Sequence, residues 1–448
     1  MLWFEPLFLR ILQHEYAASM QFDLPGRVHH PDPPDRPCQL YVHIPFCQVL
    51  CPFCSFHRVQ YREDKALDYF DALRREILAY HERGFRFSDV YVGGGTPTIA
   101  LEQLVRTLEL IRSLWPIRTV SVETNPNHLE PTTFKALQSV GVGRLSVGVQ
   151  SFDDGLLRQM GRYETYGSGA LIRERLALAA GVFPTLNVDM IFNLPDQTLE
   201  MLDHDLGVLL ELQVDQVSFY PLMTAPTARL KMEKTLGHAD PARRHELYRR
   251  ILQTMRTGYR ASSAWCFSRK SAVGQAGQAA MIDEYIIEQS DYVGVGSGSF
   301  SYVGGWMYST TFSLNQYRQR LAQARPAITR SKRLSDRERM RYDYLVRLFG
   351  LSLSRESMRR KYGWRFWLQL APELIAMRVL GATRYDRPRD CIVVTDEGMY
   401  CWVLMMAEFF NAVNTFRDAM RQHIRAEIED LNQPHSLAAS SSVRRTPQ

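Results

Sequence analysis

Between residues 39 and 220 the chain repeats one alternation, a short apolar, β-branched run followed by a stretch of helical period. Strands are expected at 40–44, 89–92, 120–123, 144–149, 185–191 and 215–220. Helices are expected at 63–82, 101–114, 131–139, 153–162 with 170–180, and 199–212. Strand–helix units in series imply right-handed crossovers and a parallel sheet. Strands apolar along their whole length suit burial on both faces. In such folds the chemistry gathers at the carboxyl ends of the strands.

Those ends carry polar residues that a purely structural sheet does not need. After the first strand, Tyr41-Val42-His43-Ile44-Pro45-Phe46-Cys47-Gln48-Val49-Leu50-Cys51-Pro52-Phe53-Cys54 places three of the seven cysteines on one loop, spaced C-x3-C-x2-C. Thiolates at this density suit an iron–sulfur cluster, with one iron left without a protein ligand, or a zinc ion completed by His43 or His57. The second strand ends in Gly93-Gly94-Gly95-Thr96-Pro97-Thr98, the third in Glu123, the fourth in Gly148-Val149-Gln150, and the fifth carries Asp189 before Asn193-Leu194-Pro195. Glycines there let a ligand lie against backbone whose amides bind a carboxylate or ribose. Carboxylates at strand ends accept ribose hydroxyls or an amino group. The remaining cysteines, Cys38, Cys266, Cys391 and Cys401, are isolated and read as packed thiols.

Composition narrows the class. An odd cysteine count with one cluster fits a metal site in a reducing compartment better than a disulfide framework. No run of eighteen apolar residues occurs, and Cys401–Val413, interrupted by Glu408, reads as a buried helix. The first residues lack the basic-then-apolar order of a secretory signal, so a cytoplasmic protein is expected. A net charge of +6 fits an anionic substrate or a solvated basic surface and makes no case for nucleic acid.

Together, Tyr41–Cys47, Val92–Thr98, Ser146–Phe152, Asn187–Pro195 and Asp291–Ser301 resemble the radical S-adenosylmethionine (SAM) superfamily. More narrowly, they are similar to the oxygen-independent coproporphyrinogen III oxidase family, whose HemN/HemW-like members include heme chaperones and radical SAM methyltransferases. The resemblance covers about residues 39 to 425. It implies a partial (β/α)6 TIM-type barrel with a mostly helical C-terminal domain. It also implies a [4Fe–4S] cluster held by Cys47, Cys51 and Cys54, with SAM chelating the open iron. Reductive cleavage of SAM then yields a 5′-deoxyadenosyl radical that abstracts hydrogen from a tetrapyrrole-like substrate of porphyrin or heme metabolism.

The same resemblance assigns residues. Tyr41 and Phe53 flank the cluster loop and SAM; Gly94, Gly95 and Thr96 meet its methionyl end; Glu123, Gln150, Arg162 and Asp189 line its pocket. The implied partners are a tetrapyrrole or heme and an electron donor such as flavodoxin or ferredoxin, with the protein a monomer. The authentic oxidase has Cys-x-Cys at the end of this loop, whereas Ser55-Phe56 follows Cys54 here, as in the chaperones and methyltransferases. In the methyltransferase reading a second SAM lies near Phe300.

The expected organisation is an N-terminal arm and proline-rich linker (1–37), a core barrel (38–225), a completing and linking region (226–310), a helical domain with a small winged element (311–432) and a disordered tail (433–448). The arm is a candidate to fold over the active site. Gly294–Ser301 reads either as backbone open to a second ligand or as a mobile loop. The stretch 318–347 has ten basic residues against three acidic ones. It reads as a solvated face, or as a source of arginines for substrate carboxylates.

Overall fold

The computed structural model describes residues 5–20, 22, 28–223, 226–270 and 291–431; the expected tail, 433–448, lies outside them. Six parallel strands follow one another in chain order: β1 (Cys38–Ile44), β2 (Phe87–Gly94), β3 (Thr119–Thr124), β4 (Arg144–Gln150), β5 (Thr185–Phe192) and β6 (Gln216–Pro221). Their apolar residues meet in register, Val42 beside Val92, Val90 beside Val120, Val147 beside Val188 and Val188 beside Val217. All of these side chains are buried, as strands covered on both faces require.

The crossover helices are Glu63–Glu82, Leu101–Leu114, Pro131–Ser139, Gly169–Ala179 and Leu199–Leu212. The first buries Ala66, Phe70, Leu73 and Ile77, a stripe at helical spacing that faces the sheet. Thr198 starts the last by accepting a hydrogen bond from the Met201 amide at 3.2 Å. Between β4 and the helix Gly169–Ala179, the expected single helix 153–162 is instead Asp154–Gln159, followed by a separate turn of helix, Tyr163–Tyr166.

The sheet does not stop at six strands. Beyond β6 it gains β7 (Tyr259–Ala261) and β8 (Cys266–Arg269), which are antiparallel to their neighbours. Beyond β1 it gains β9 (Tyr292–Val295), parallel to β1, and an antiparallel meander of β10 (Phe300–Val303), β11 (Trp306–Thr310) and β12 (Ile328–Arg333). The order β12-β11-β10-β9-β1-β2-β3-β4-β5-β6-β8-β7 leaves an open, barrel-like sheet. The C-terminal part is mostly helical, with a small sheet of β13 (Ser352–Ser354), β14 (Thr383–Asp386) and β15 (Cys391–Val394), and a 27-residue helix, Asp396–Gln422.

That long helix ties the chain together. Its apolar run Met399–Phe409 is buried, and the N-terminal helix Glu5–Ser19 lies against it through the edge-on pair Tyr16 and Phe409. Glu5 pairs with Arg244 at 2.8 Å and accepts from the Tyr400 hydroxyl. Farther along the arm, Phe22 meets Phe416 and Phe300, with ring centroids 4.5 and 6.4 Å apart. The arm thus reaches an aromatic group on the C-terminal helix and β10. No helix among the described residues is long and apolar enough to cross a membrane.

Candidate active site

The cysteine loop is clasped at its base. Phe46–Cys47 pairs in parallel with Val59–Gln60, and the Val59 and Tyr61 amides donate to the carbonyls of Pro45 and Cys47 at 2.8 and 2.9 Å. Cys47 and Cys51 are buried and Cys54 half-buried, and none is in a disulfide. The Thr96 hydroxyl points at Cys47 Sγ from 3.8 Å, and Arg162 Nη1 at Cys51 Sγ from 3.6 Å. Arg58 Nη2 donates to the carbonyls of Cys54, at 2.9 Å, and Cys51. Burial, reinforced by the neighbouring Cys54, pushes the Cys47 thiol up to about 12, so its thiolate needs a positive partner.

His43 is not available as the fourth ligand of a zinc ion. The His57 carbonyl can only accept, so His43 Nε2 carries the proton it donates at 2.9 Å, and Nδ1 accepts from the Tyr41 hydroxyl at 2.9 Å. Burial holds this imidazole neutral, its pKa lowered to about 4. Among the described residues no three Cys, His, Asp or Glu side chains converge on one ion. A zinc ion with Zn–S bonds of about 2.3 Å needs that convergence.

The strand-end residues gather on the same rim. Asn125 links two of them, donating to Thr96 Oγ1 at 2.7 Å and accepting from Arg162 Nη2 at 2.9 Å. Arg162 also donates to the Gly148 carbonyl and stacks over Tyr166 at 4.1 Å. Arg158, four residues earlier, lies on the outer surface over Tyr163. Asp189 accepts from Ser146 Oγ at 2.8 Å and Asn187 Nδ2 at 2.7 Å. Gln150 ends β4 with φ 78° at a shift in register, a left-handed conformation that a glutamine holds only when its surroundings impose it. Phe53 is buried between the last two cysteines, and Tyr41 lies 6.2 Å from Tyr91, ring to ring.

The triple-glycine turn works differently from the expectation. Its amides are already used: Gly94 N donates to Glu123 Oε2 at 3.0 Å, Gly95 N to the Ile44 carbonyl and Thr96 N to the Phe46 carbonyl, both at 2.7 Å. A Cβ on Gly93 would stand 2.6 Å from Glu123 Oε1, and one on Gly95 2.6 Å from the Phe46 carbonyl. These glycines let β2 close onto Glu123 and the cysteine loop. What the turn leaves facing the rim is the Thr96 hydroxyl.

Gly294–Ser301 is likewise neither open backbone nor a loose loop. The amides of Gly296, Ser297 and Gly298 donate to Glu76, the Tyr69 hydroxyl and the Thr311 carbonyl at 2.8, 2.9 and 2.9 Å. Burial raises the Glu76 carboxyl to about 7 against the lowering effect of its bonds from Tyr317 and Gly296.

Residues 41–209 match the model of the Radical SAM superfamily. The heme chaperone HemW of Bacillus subtilis is 31% identical over 276 residues, covering 59% of this chain and 71% of that protein. The oxygen-independent coproporphyrinogen III oxidase of Salmonella typhimurium is 28% identical over 362 residues, covering 76% and 78%. The solved coproporphyrinogen III oxidase HemN from Escherichia coli superimposes with a TM-score of 0.70 at 26% identity, covering 88% of this chain and 93% of that one. The chain belongs to the oxygen-independent coproporphyrinogen III oxidase family of radical SAM proteins.

The cofactors of a radical SAM protein are a [4Fe–4S] cluster and SAM, and the loop of this family member fits the cluster. It offers three soft donors on one loop, and it is lined by buried donors that lack acceptors among the described residues. The Nε atoms of Arg58, Arg162 and Arg421 are buried without a hydrogen-bond partner among the described residues. Cluster sulfides and thiolates are acceptors of the kind these donors lack.

Three residues of this site escaped the sequence reading. Arg58 differs from any surface arginine only in lying four residues after Cys54. Arg417 and Arg421 sit on the helix Asp396–Gln422, more than 350 residues from the loop, and no local pattern marks them. Arg417 lies over the rings of Phe56 and Phe300 at 5.1 and 5.5 Å; burial lowers the His43 pKa and raises that of Tyr41, and the Arg417 charge adds to the first shift and offsets part of the second. The basic stretch 318–347 faces elsewhere, Arg318 pairing with Asp68 and Arg341 with Glu373 and Glu15.

Proposed function

We propose that this chain is a radical SAM enzyme acting on a carboxylate-bearing, tetrapyrrole-like substrate. The observation that carries the reading is a loop of three cysteines outside any disulfide, faced by Thr96 and Arg162 and reached from the C-terminal helix by Arg417 and Arg421. Cys47, Cys51 and Cys54 would hold three irons. When bound, the cluster and SAM supply a 5′-deoxyadenosyl radical that removes a hydrogen atom from the substrate.

The chain's own residues bind, orient and exclude water. Thr96, Asn125 and Arg162 form one bonded set beside Cys47 and Cys51, suited to the polar methionyl end of SAM. Asp189, held by Ser146 and Asn187, and Gln150, fixed in its left-handed turn, suit ribose hydroxyls. Tyr41 and Phe53 wall the loop. Phe56, 45% exposed beside Arg417, offers a flat apolar surface next to a cation, which suits a macrocycle carrying carboxylates. The barrel then uses an electron from a carrier such as flavodoxin or ferredoxin, in a monomeric protein.

An anaerobic assay with dithionite, SAM and coproporphyrinogen III, read by mass spectrometry, tests this. Methionine formation that depends on the tetrapyrrole supports the reading. Loss of carbon dioxide marks an oxidase and gain of a methyl group a two-SAM methyltransferase. A second reading, a heme chaperone with little turnover, is favoured by the Ser55-Phe56 sequence in place of the oxidase's Cys-x-Cys and by the 31% identity to HemW. Tight heme binding with no substrate-dependent methionine decides for it.

A further inference from the structure

We infer that Arg421, through Arg58, forms a charge clamp on the cysteine loop that raises the reduction potential of its cluster. The inference rests on the reading of Cys47, Cys51 and Cys54 as cluster ligands. Arg58 Nη2 holds the carbonyls of Cys51 and Cys54, the latter at 2.9 Å, and Arg421 Nη2 donates to the Arg58 carbonyl at 3.4 Å. A strand-end loop and a helix from the far end of the chain are thereby joined through the Arg58 backbone.

Like charges do not gather this way without an anion. Among the described residues, neither Arg58, Arg162 nor Arg421 has a carboxylate within ion-pair distance. Asp418 stands one helical turn before Arg421 on the helix Asp396–Gln422 and is buried. With a cluster bound, the ligating thiolates would supply the negative charge that this cationic group lacks. The Nε atoms of Arg58 and Arg421 are both buried without a partner among the described residues, so the two guanidinium groups have donors to spare for acceptors at the loop.

The consequence is electrochemical. A cubane with three thiolates carries net negative charge, and the electron it accepts from a low-potential one-electron carrier adds another. Nearby fixed positive charge stabilises the reduced form more than the oxidised one, and the surrounding protein screens this less than bulk water. Arg421 touches neither substrate nor SAM in this scheme; it is a positioning residue acting through the loop.

The test is an EPR-monitored potentiometric titration of the reconstituted full chain, with iron and sulfide measured on each sample. Arg421→Gln should keep its cluster but be reduced with a roughly tenfold smaller equilibrium constant, a downward shift of about 59 mV for one electron. Arg421→Lys, which keeps the charge, should return to the wild-type value. Asp418→Asn, which removes the negative neighbour of Arg421, should shift the potential upward. An Arg421→Gln protein with full iron and an unmoved potential overturns the inference, as does a downward shift in Asp418→Asn. If Arg421→Gln holds no iron, Asp418→Asn decides alone: an upward shift supports the clamp and an unmoved potential overturns it. A wild-type chain that binds no cluster sinks the functional reading itself and the clamp with it.

Discussion

The stretch 318–347 concentrates ten basic residues, whereas Arg58, Arg162, Arg417 and Arg421 are scattered over more than 360 positions, yet only the scattered group gathers at the cysteine loop. The difference lies in the counter-charges. In the dense stretch Arg318 pairs with Asp68, Lys332 with Glu338 at 3.0 Å, Arg337 and Arg341 with Glu373 at 3.3 and 2.8 Å, and Arg339 with Asp336 at 3.6 Å. Around the loop, Arg58 and Arg162 instead donate to cysteine carbonyls, Cys51 Sγ, Asn125 and the Gly148 carbonyl. Basic density here marks a face on which at least half of the basic residues have carboxylate partners. Arg58, Arg162 and Arg421, without a carboxylate in ion-pair distance among the described residues, mark a place where the anion comes from elsewhere.

The largest effect should come from the anion itself. Cys51→Ala removes the thiol that Arg162 faces, and SAM cleavage should fall to background with a matching loss of bound iron. Retained cleavage would take Cys51 out of the cluster and leave the loop arginines without an explanation. Next in size is Arg162→Gln, which breaks the Asn125–Arg162 bond and the contact with Cys51 while leaving the three cysteines in place. A drop of about 10- to 100-fold in SAM cleavage, the usual range when a partner of a metal ligand is lost, is expected, with cluster content retained. Arg158→Gln, on the outer surface, should leave cleavage unchanged.

How far the site could be read from sequence follows the same division. The helices Glu63–Glu82, Leu101–Leu114, Pro131–Ser139 and Leu199–Leu212 lie where their apolar period, Pro131 and Thr198 put them, and the six parallel strands fall within a residue or two of their apolar runs. The antiparallel additions were not legible. Ile328–Arg333 carries three basic residues and one apolar residue, so it has no alternation of apolar and polar positions to read. Arg162 could be separated from Arg158 only by the break after Gln159, which turns one inward and leaves the other in solvent. Arg417 and Arg421 become site residues because a helix nearly 400 residues along the chain lies against the barrel, a long-range packing outcome with no local signature.

A smaller effect tests the turn behind the loop. Glu76 Oε2 accepts from Gly296 N and the Tyr317 hydroxyl, and Oε1 is buried without a partner among the described residues. Its folded pKa, about 7, lies above its ordinary 4.5, so the folded state holds the proton more tightly. Stability from this group is therefore full below about pH 4.5 and declines as pH rises toward 7, by at most a few kcal/mol. Glu76→Gln should flatten that decline in denaturant titrations across this window. An unchanged slope would remove Glu76 as its source.

The smallest effect belongs to the dense stretch and tests the comparison from its other side. Arg318 and Asp68 are 35% and 48% exposed, so water already screens both charges and the pair competes with two mobile, hydrated side chains. Arg318→Ala should cost no more than about 1 kcal/mol in urea unfolding, less at high salt, with iron content and reduction potential as in the wild type. A moved potential would mean that this surface charge reaches the loop despite its paired carboxylate. The distinction between paired surface arginines and those awaiting an anion would then give way to a long-range field of the whole basic surface.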